Sequence, residues 1–364
     1  MKAVSKGSGI RYHARVSGTG KPVSQVRSLG HRPPSIEDVA SAAGVSTATV
    51  SRYINSPQLV APATAERVGR AIGELGYRPN RFAQGLMTSR SQTVGIVLPD
   101  LHGEFYSELL RGADAEARRN HYHLLVTSGF GGRDEPQTID SGTFGLVDGL
   151  ALMITEPNEV LWRAARQTGL PIVTLDTDPG EPDVDSILID NTAGTTEAVA
   201  HLLGSVPPDR CYFVGGPKDN FDTIQRAGAF AAALARAGHK PRADQLVYGR
   251  YSPEWGRMWA AKKAADGEPT PFGVMAADDE IAYGIVDALQ SSGLLVPRDA
   301  RIVGFDDSRL ASLLRPALST VRVPLSEVGA EVIAALIHRI REPEAPVVSR
   351  TLPTRLVIRE SSRV

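Results

Sequence analysis

A small all-α head joined to a larger α/β body of two lobes is the fold class the sequence predicts. Three observations carry that expectation. Short helical stripes separated by backbone breakers fill residues 35–76. After Thr93, short apolar strands alternate with helix-length segments, the pattern of parallel sheets covered by helices. Those strands are too many for one small sheet, and 364 residues exceed one ordinary core, so the body divides in two.

The elements of the head follow from local rules. Ser35 with Asp38 three residues on makes a capping box, and Ile36, Val39, Ala40 and Ala43 then recur at helical spacing. Gly44 breaks the pattern, and Ser46 caps a second helix with Val50 and Ile54 inward. Asn55-Ser56-Pro57 ends it. Pro62 opens a third helix at a position where a missing N–H costs nothing; Val68, Ile72 and Leu75 form its stripe, and Gly76 stops it. In the body, strands are expected at Val94–Leu98, Leu124–Thr127, Leu150–Ile154, Ile172–Asp176, Tyr212–Gly215, Val274–Ala277 and Ile302–Phe305.

Composition narrows the classes of function. A hydrophobic fraction of 42% with 22% charged residues suits a soluble globular protein. The single cysteine, Cys211, has no intramolecular partner, which fits a reducing compartment. No apolar run reaches the roughly 18–20 residues that cross a bilayer, and the basic N-terminus lacks the apolar stretch of a secretion signal. A cytoplasmic protein with no membrane partner is expected. The net charge of -1 conceals an asymmetry: residues 1–90 hold 13 Lys and Arg against 4 Asp and Glu, and the remainder 27 against 37. A basic front suggests that only this end meets a polyanion. Within it, residues 1–32 are basic, acid-free and aperiodic, and read as a disordered tail, either inert or an arm that touches DNA.

The segment Ile36–Asn55 has the spacing of a helix-turn-helix, which presents its second helix to the DNA major groove; an ordinary helical hairpin shares that spacing. Its surroundings decide between them. SIEDVASAAGVSTATVSRYIN, then ELGYRPNRFAQGL and TVGIVLPD, resemble the lactose-repressor (LacI/GalR) family. The resemblance continues in order through VDGL, LIDN, RAGAF, DDEIAYG, IVGFDD, RPALSTVRVP and TRLVIRESS, covering nearly everything from residue 34 onward.

The resemblance implies a ligand-controlled repressor that binds a pseudo-palindromic DNA operator as a homodimer. Thr47, Ala48 and Arg52 stand where the family reads base edges, and Ser46, Thr49 and Asn55 where it grips phosphates. It also implies a hinge over residues 79–91, with Asn80 opening a short helix and Leu86 at the position of the minor-groove wedge. The head then covers 33–78. The body, 92–364, would share the core of periplasmic binding proteins, with one lobe from about 92–190 and 308–333 and another from about 191–307 and 334–364. A small effector, a sugar by analogy, would sit between the lobes at the C-terminal ends of their strands. Phe105, Tyr106, Thr155, Asp176, Asp222, Arg226, Tyr251 and Asp279 fall at the family's ligand positions. Carboxylates there point to a neutral, hydroxyl-rich molecule, although related sensors also take purines. Asp306 and Asp307 read as structural, and Asp190-Asn191 as a helix cap.

Two rival functions use the same cleft: a transport-type sugar-binding protein and an enzyme. The head and the absent signal segment oppose the first. Against the second, there is no nucleophile elbow, no HExxH and no paired-cysteine zinc pattern. The fragment GTGKP at 18–22 lacks the Ser/Thr and strand context of a phosphate loop. No cofactor or metal is implied.

Overall fold

The computed structural model describes residues 32, 34–78, 90–101, 103–128, 145–177, 180–181 and 183–363. The expectations for residues 1–31, for Asn80 and for Leu86 lie outside them. Two compact units divide after position 80.

The first unit is three helices: α1 (Ile36–Ala43), α2 (Thr47–Asn55) and α3 (Pro62–Leu75). The capping box forms as expected, with Ser35 Oγ accepting from the Asp38 N–H and Asp38 accepting from the Ser35 N–H. Gly44 ends α1 at φ +61° and Gly76 ends α3 at φ +63°, left-handed positions that cost glycine nothing. Val39, Ala40, Ala43, Val50, Val68 and Ala71 make the core. Leu75 does not join it and is 37% exposed. The partners α1 and α2, of 8 and 9 residues, are too short to cover a 14-residue helix to its last turn.

The second unit contains two six-stranded sheets. The first takes β1 (Thr93–Leu98), β2 (His123–Ser128), β3 (Leu150–Met153), β4 (Ile172–Leu175), β5 (Asp185–Ile189) and β11 (Ser349–Leu352) in the order β11-β5-β4-β3-β1-β2, all parallel. The second takes β6 (Cys211–Gly215), β7 (Leu246–Tyr248), β8 (Phe272–Ala276), β9 (Ala300–Asp306), β10 (Ser319–Arg322) and β12 (Arg355–Val357) in the order β12-β10-β9-β8-β6-β7. Only β12 runs antiparallel to its neighbour. The covering helices are α4 (Glu104–Arg119), α5 (Glu159–Gln167), α6 (Asn191–Leu203), α7 (Phe221–Arg236), α8 (Pro253–Ala265), α9 (Asp279–Ser291), α10 (Arg309–Leu313) and α11 (Leu325–Arg341).

The sheets partition the C-terminal third differently from the sequence expectation. Residues 319–322 pair in register with β9 and so belong to the second lobe, not the first. Helix α11 and strand β11 belong to the first lobe, and the expected break at 333 would cut α11 in two. That helix buries a continuous face from Leu325 to Ile340 and packs on α4, β4 and β5, so it moves whole. The chain therefore crosses between lobes three times: after β5, between β10 and α11, and between β11 and β12. The first and third crossings are tied together, since the Asp190 N–H donates to Leu352 O and Thr354 Oγ1 donates to Asp190 O.

Each lobe contains one pair of helices locked by reciprocal glycines. A Cβ on Gly112 of α4 would lie 1.8 Å from Ser326 O of α11, and one on Gly329 of α11 would lie 2.0 Å from Leu109 O of α4. In the second lobe, Gly256 of α8 and Gly284 of α9 stand in the same relation, 2.2 Å from Ile281 O and 1.9 Å from Pro253 O. No side chain fits at these four positions of the two crossings.

Candidate functional site

In the first unit, α2 begins at Thr47, and Ser46 Oγ accepts from the Thr49 N–H at 3.2 Å. Ser46 and Thr49 hydroxyls also bond to each other at 2.9 Å, which orders the helix start. Thr47, Ala48, Arg52 and Asn55 are exposed and Thr49 is half-buried, while Val50 of the same helix is fully buried. At about 100° per residue, Ala48 and Arg52 lie one turn apart on one outer stripe. Asn55 donates only a long 3.4 Å bond to Ser51 Oγ. Ser46, Thr47, Ala48, Arg52 and Asn55 thus form an exposed face with hydroxyl, amide and guanidinium groups, with Thr49 at its edge and the core behind it.

In the second unit, a cavity of about 420 Å³ lies between the lobes. Phe105, Tyr106 and Thr155 reach it from the first lobe; Asp222, Arg226, Tyr251 and Asp279 reach it from the second. These residues come from the ends of strands β1, β3, β6, β7 and β8 and from the helices or loops that follow. Seven of the eight sequence-predicted ligand residues therefore converge. Phe105 and Tyr106 pack edge to face, with ring centroids 5.2 Å apart.

Arg226 is the fixed point of the second-lobe wall. It is 3% exposed; its Nε donates to Asn191 Oδ1 at 2.8 Å and its Nη1 to Ala277 O at 2.6 Å. Its guanidinium lies 3.8 Å from the Phe305 ring centroid and 3.7 Å from Asp222. Asn191 in turn donates to Asp222 Oδ1 at 2.9 Å, so Asn191 orients both partners besides heading a helix. Tyr251 hydroxyl meets Thr223 Oγ1 at 2.8 Å and donates to Asn220 Oδ1 at 3.1 Å. Burial pushes both Tyr251 and Tyr106 upward, which keeps them as neutral donors. Across the cavity mouth, the Phe221 N–H donates to Thr155 O and the Arg309 N–H to Glu104, each at 2.8 Å, joining the two lobes.

Two predicted residues behave differently. Asp176 does not line the cavity. Its left-handed backbone, φ +56°, turns the carboxyl back so that Oδ1 accepts from the Ile189 N–H, and Oδ2 is buried without a donor. Burial, and then the neighbouring Asp222 carboxyl of the other lobe, hold Asp176 well above the usual carboxylate range. Asp279 lines the cavity but spends its acceptors on the protein: Oδ2 takes the Ser308 N–H and Oγ, and Oδ1 takes Thr320 Oγ1. It ties α9 to the end of β9 and to β10.

The sequence reading missed the residues next door. Asp278 lines the cavity and caps α9 through a 2.6 Å bond from the Ile281 N–H. Asp306, read as structural, also lines it, at φ +104°, with Oδ1 buried and unpartnered. Asp307 alone is structural, paired with Arg322 and Arg359. A signal existed: Asp306 ends a buried parallel strand, which is where such sheets place ligand contacts. Burial first, then Asp306, raises Asp278 to about 8, and burial raises Asp306 to about 6.

Comparisons with known proteins agree with this architecture. The model for bacterial regulatory proteins of the lacI family matches residues 35–80, and that for a periplasmic binding protein-like domain matches residues 208–362. Catabolite control protein A of Priestia megaterium is 30% identical over 329 residues, 90% of this chain and 99% of the relative. Among solved structures, a lac repressor dimer bound to operator and the anti-inducer ONPF superposes with a TM-score of 0.82 at 26% identity, over 92% of this chain and 100% of that one. A complex of the transcriptional regulator CelR with cellobiose gives 0.69 at 30% identity, over 90% and 99%.

Proposed function

The chain belongs to the lacI family of bacterial regulatory proteins, and from that premise we propose how it reads DNA and what controls it. It is a DNA-binding transcriptional regulator, not an enzyme. Arg52 reads guanine through a bidentate pair, Ala48 contributes a methyl contact and Thr47 a hydroxyl, while Ser46, Thr49 and Asn55 hold phosphates. A homodimer places two such helices on the half-sites of a pseudo-palindromic operator. Asn80 and Leu86 belong to a hinge helix that orders on the operator and wedges its centre. Repression in the cytoplasm is the proposed outcome. Among the described residues no helix is long and apolar enough to cross a membrane.

The cavity is the effector site, and the effector is a carbohydrate. The single observation that carries this is the wall itself: a guanidinium clamped at 3% exposure, aromatic rings and carboxyl groups converge from both lobes on about 420 Å³. An arginine fork, carboxylates and ring faces are the groups that recognise vicinal hydroxyls and the apolar faces of sugars. The CelR neighbour, solved with cellobiose, supports the same class. Closure of the lobes on ligand and ordering of the hinge on operator bias one two-state element, so effector and operator change each other's affinity by the same factor. A thermal-shift screen of sugars and nucleobases, followed by operator anisotropy with each hit, tests this. A nucleobase stabilising the fold where no sugar does would reject the carbohydrate.

A further inference from the structure

The cavity gathers more carboxyl groups than a neutral sugar answers. From the first lobe it takes Asp100, Glu104 and Glu156, and from the second Asp222, Asp278, Asp279, Glu280 and Asp306. Among the described lining residues one guanidinium, Arg226, accompanies these eight carboxyl side chains, and its Nε and Nη1 are already bonded to the protein. Asp279 is likewise committed to Ser308 and Thr320. Asp306 is not: its Oδ1 is buried with no hydrogen-bond partner, on a residue that lines the cavity. Asp278 shares that wall, with Asp306 and Glu280 as like-charged neighbours. Buried acids crowded in this way retain protons until a cation replaces them. The first lobe adds the paired rings of Phe105 and Tyr106, whose faces also attract cations.

We propose that the effector is a sugar-sized, hydroxyl-bearing molecule that carries a protonated amine, its ammonium seated against Asp306 and Asp278. The hydroxyls then fall to Arg226, Asp222 and the aromatic wall. An ammonium brings three donors and a positive charge to the place where an unpartnered acceptor and unbalanced acids meet. This rests on the cavity being the effector site. It departs from the neutral effector expected from sequence because the cavity also gathers Asp306, read there as structural, and Asp278, not singled out there.

The test is titration calorimetry on the full chain at pH 7 with matched pairs: glucosamine against glucose, galactosamine against galactose, mannosamine against mannose. In at least one pair the amine binds at least about tenfold more tightly than its parent, the scale of one charge-assisted hydrogen bond. Asp306→Asn shrinks that ratio below about threefold. So does lowering the pH to 5 with the unmodified protein, which keeps the test decisive if the variant does not fold. Neutral parents binding as tightly as the amines overturn the amine and leave the cavity as a sugar site. A ratio that survives both Asp306→Asn and pH 5 overturns the seat at Asp306. Silence from every pair, with operator binding intact, removes the monosaccharide effector together with its amine.

Discussion

Replacing Arg226 by methionine removes the guanidinium while keeping a long apolar side chain. The structure sets the size of the effect. Two bonds of 2.8 and 2.6 Å vanish, and Asn191 Oδ1 and Ala277 O lose their donor at a site 3% exposed. Asp222 loses the cationic neighbour that stood 3.7 Å away, and the Phe305 face loses its cover. Breaking a buried charged cluster by deleting one member costs about 3–5 kcal/mol, against a typical total of about 5–15 kcal/mol. Urea unfolding followed by tryptophan fluorescence reads this directly, because Trp162, Trp255 and Trp259 all lie in the second unit. The midpoint should fall with an unchanged slope. The surviving folded protein should still bind operator without effector, yet fail to respond to effector. A loss below about 1 kcal/mol, or normal effector affinity with normal switching, would show that the guanidinium is not the clamp described above.

Arg52→Ala should weaken operator binding by about 1–3 kcal/mol and relax base choice at one position per half-site; mobility shifts over an operator series with unchanged preference would take Arg52 off the reading face. Gly112→Ala should destabilise by about 1–3 kcal/mol through overpacking against the α11 backbone, whereas Gly228→Ala, exposed on α7 with nothing within 4 Å, should stabilise by about 0.5–1 kcal/mol. Equal melting temperatures for the two would refute the close crossing. Stability without effector should fall as pH rises from 5 to 8: Asp278 and Asp306 ionise near 8 and 6 in the folded protein, so the native state binds protons that the unfolded chain releases at ordinary carboxylate pH. Asp278→Asn should flatten the upper part of that slope, and a melting temperature that climbs between pH 6 and 8 would contradict it.

The head was readable because its determinants are local. Ser35, Gly44, Ser46, Pro62 and Gly76 act within four residues of themselves, and each sits where the spacing predicts. Buried strands such as β1, β6 and β8 were equally plain as unbroken apolar runs. The edge strands β7 and β11 were not: β11 is Ser349–Leu352 with three exposed residues, and β7 is three half-buried ones. Their identity comes from partners more than 30 residues away, and the pairing of β11 with β5 likewise puts 349–352 in the first lobe. The site shows the same limit at finer scale. Sequence marks Asp278-Asp279 and Asp306-Asp307 as pairs, but which member meets the cavity depends on Ser308, Thr320, Arg322 and Arg359, all brought in by tertiary packing.

The four reciprocal glycines decide where this molecule can bend. With α4 seated on the backbone of α11, and α8 on that of α9, neither of these helix pairs has slack to slide. Deformation is left to the three chain crossings, two of which are already stitched together at Asp190. Each lobe therefore behaves as a stiff plate turning on a narrow pivot, and a small rotation set at the cavity grows with distance from that pivot instead of being absorbed on the way. Substitutions divide accordingly: at the glycine crossings they should cost the protein stability, and at the pivots they should leave a folded protein whose two ends no longer keep time.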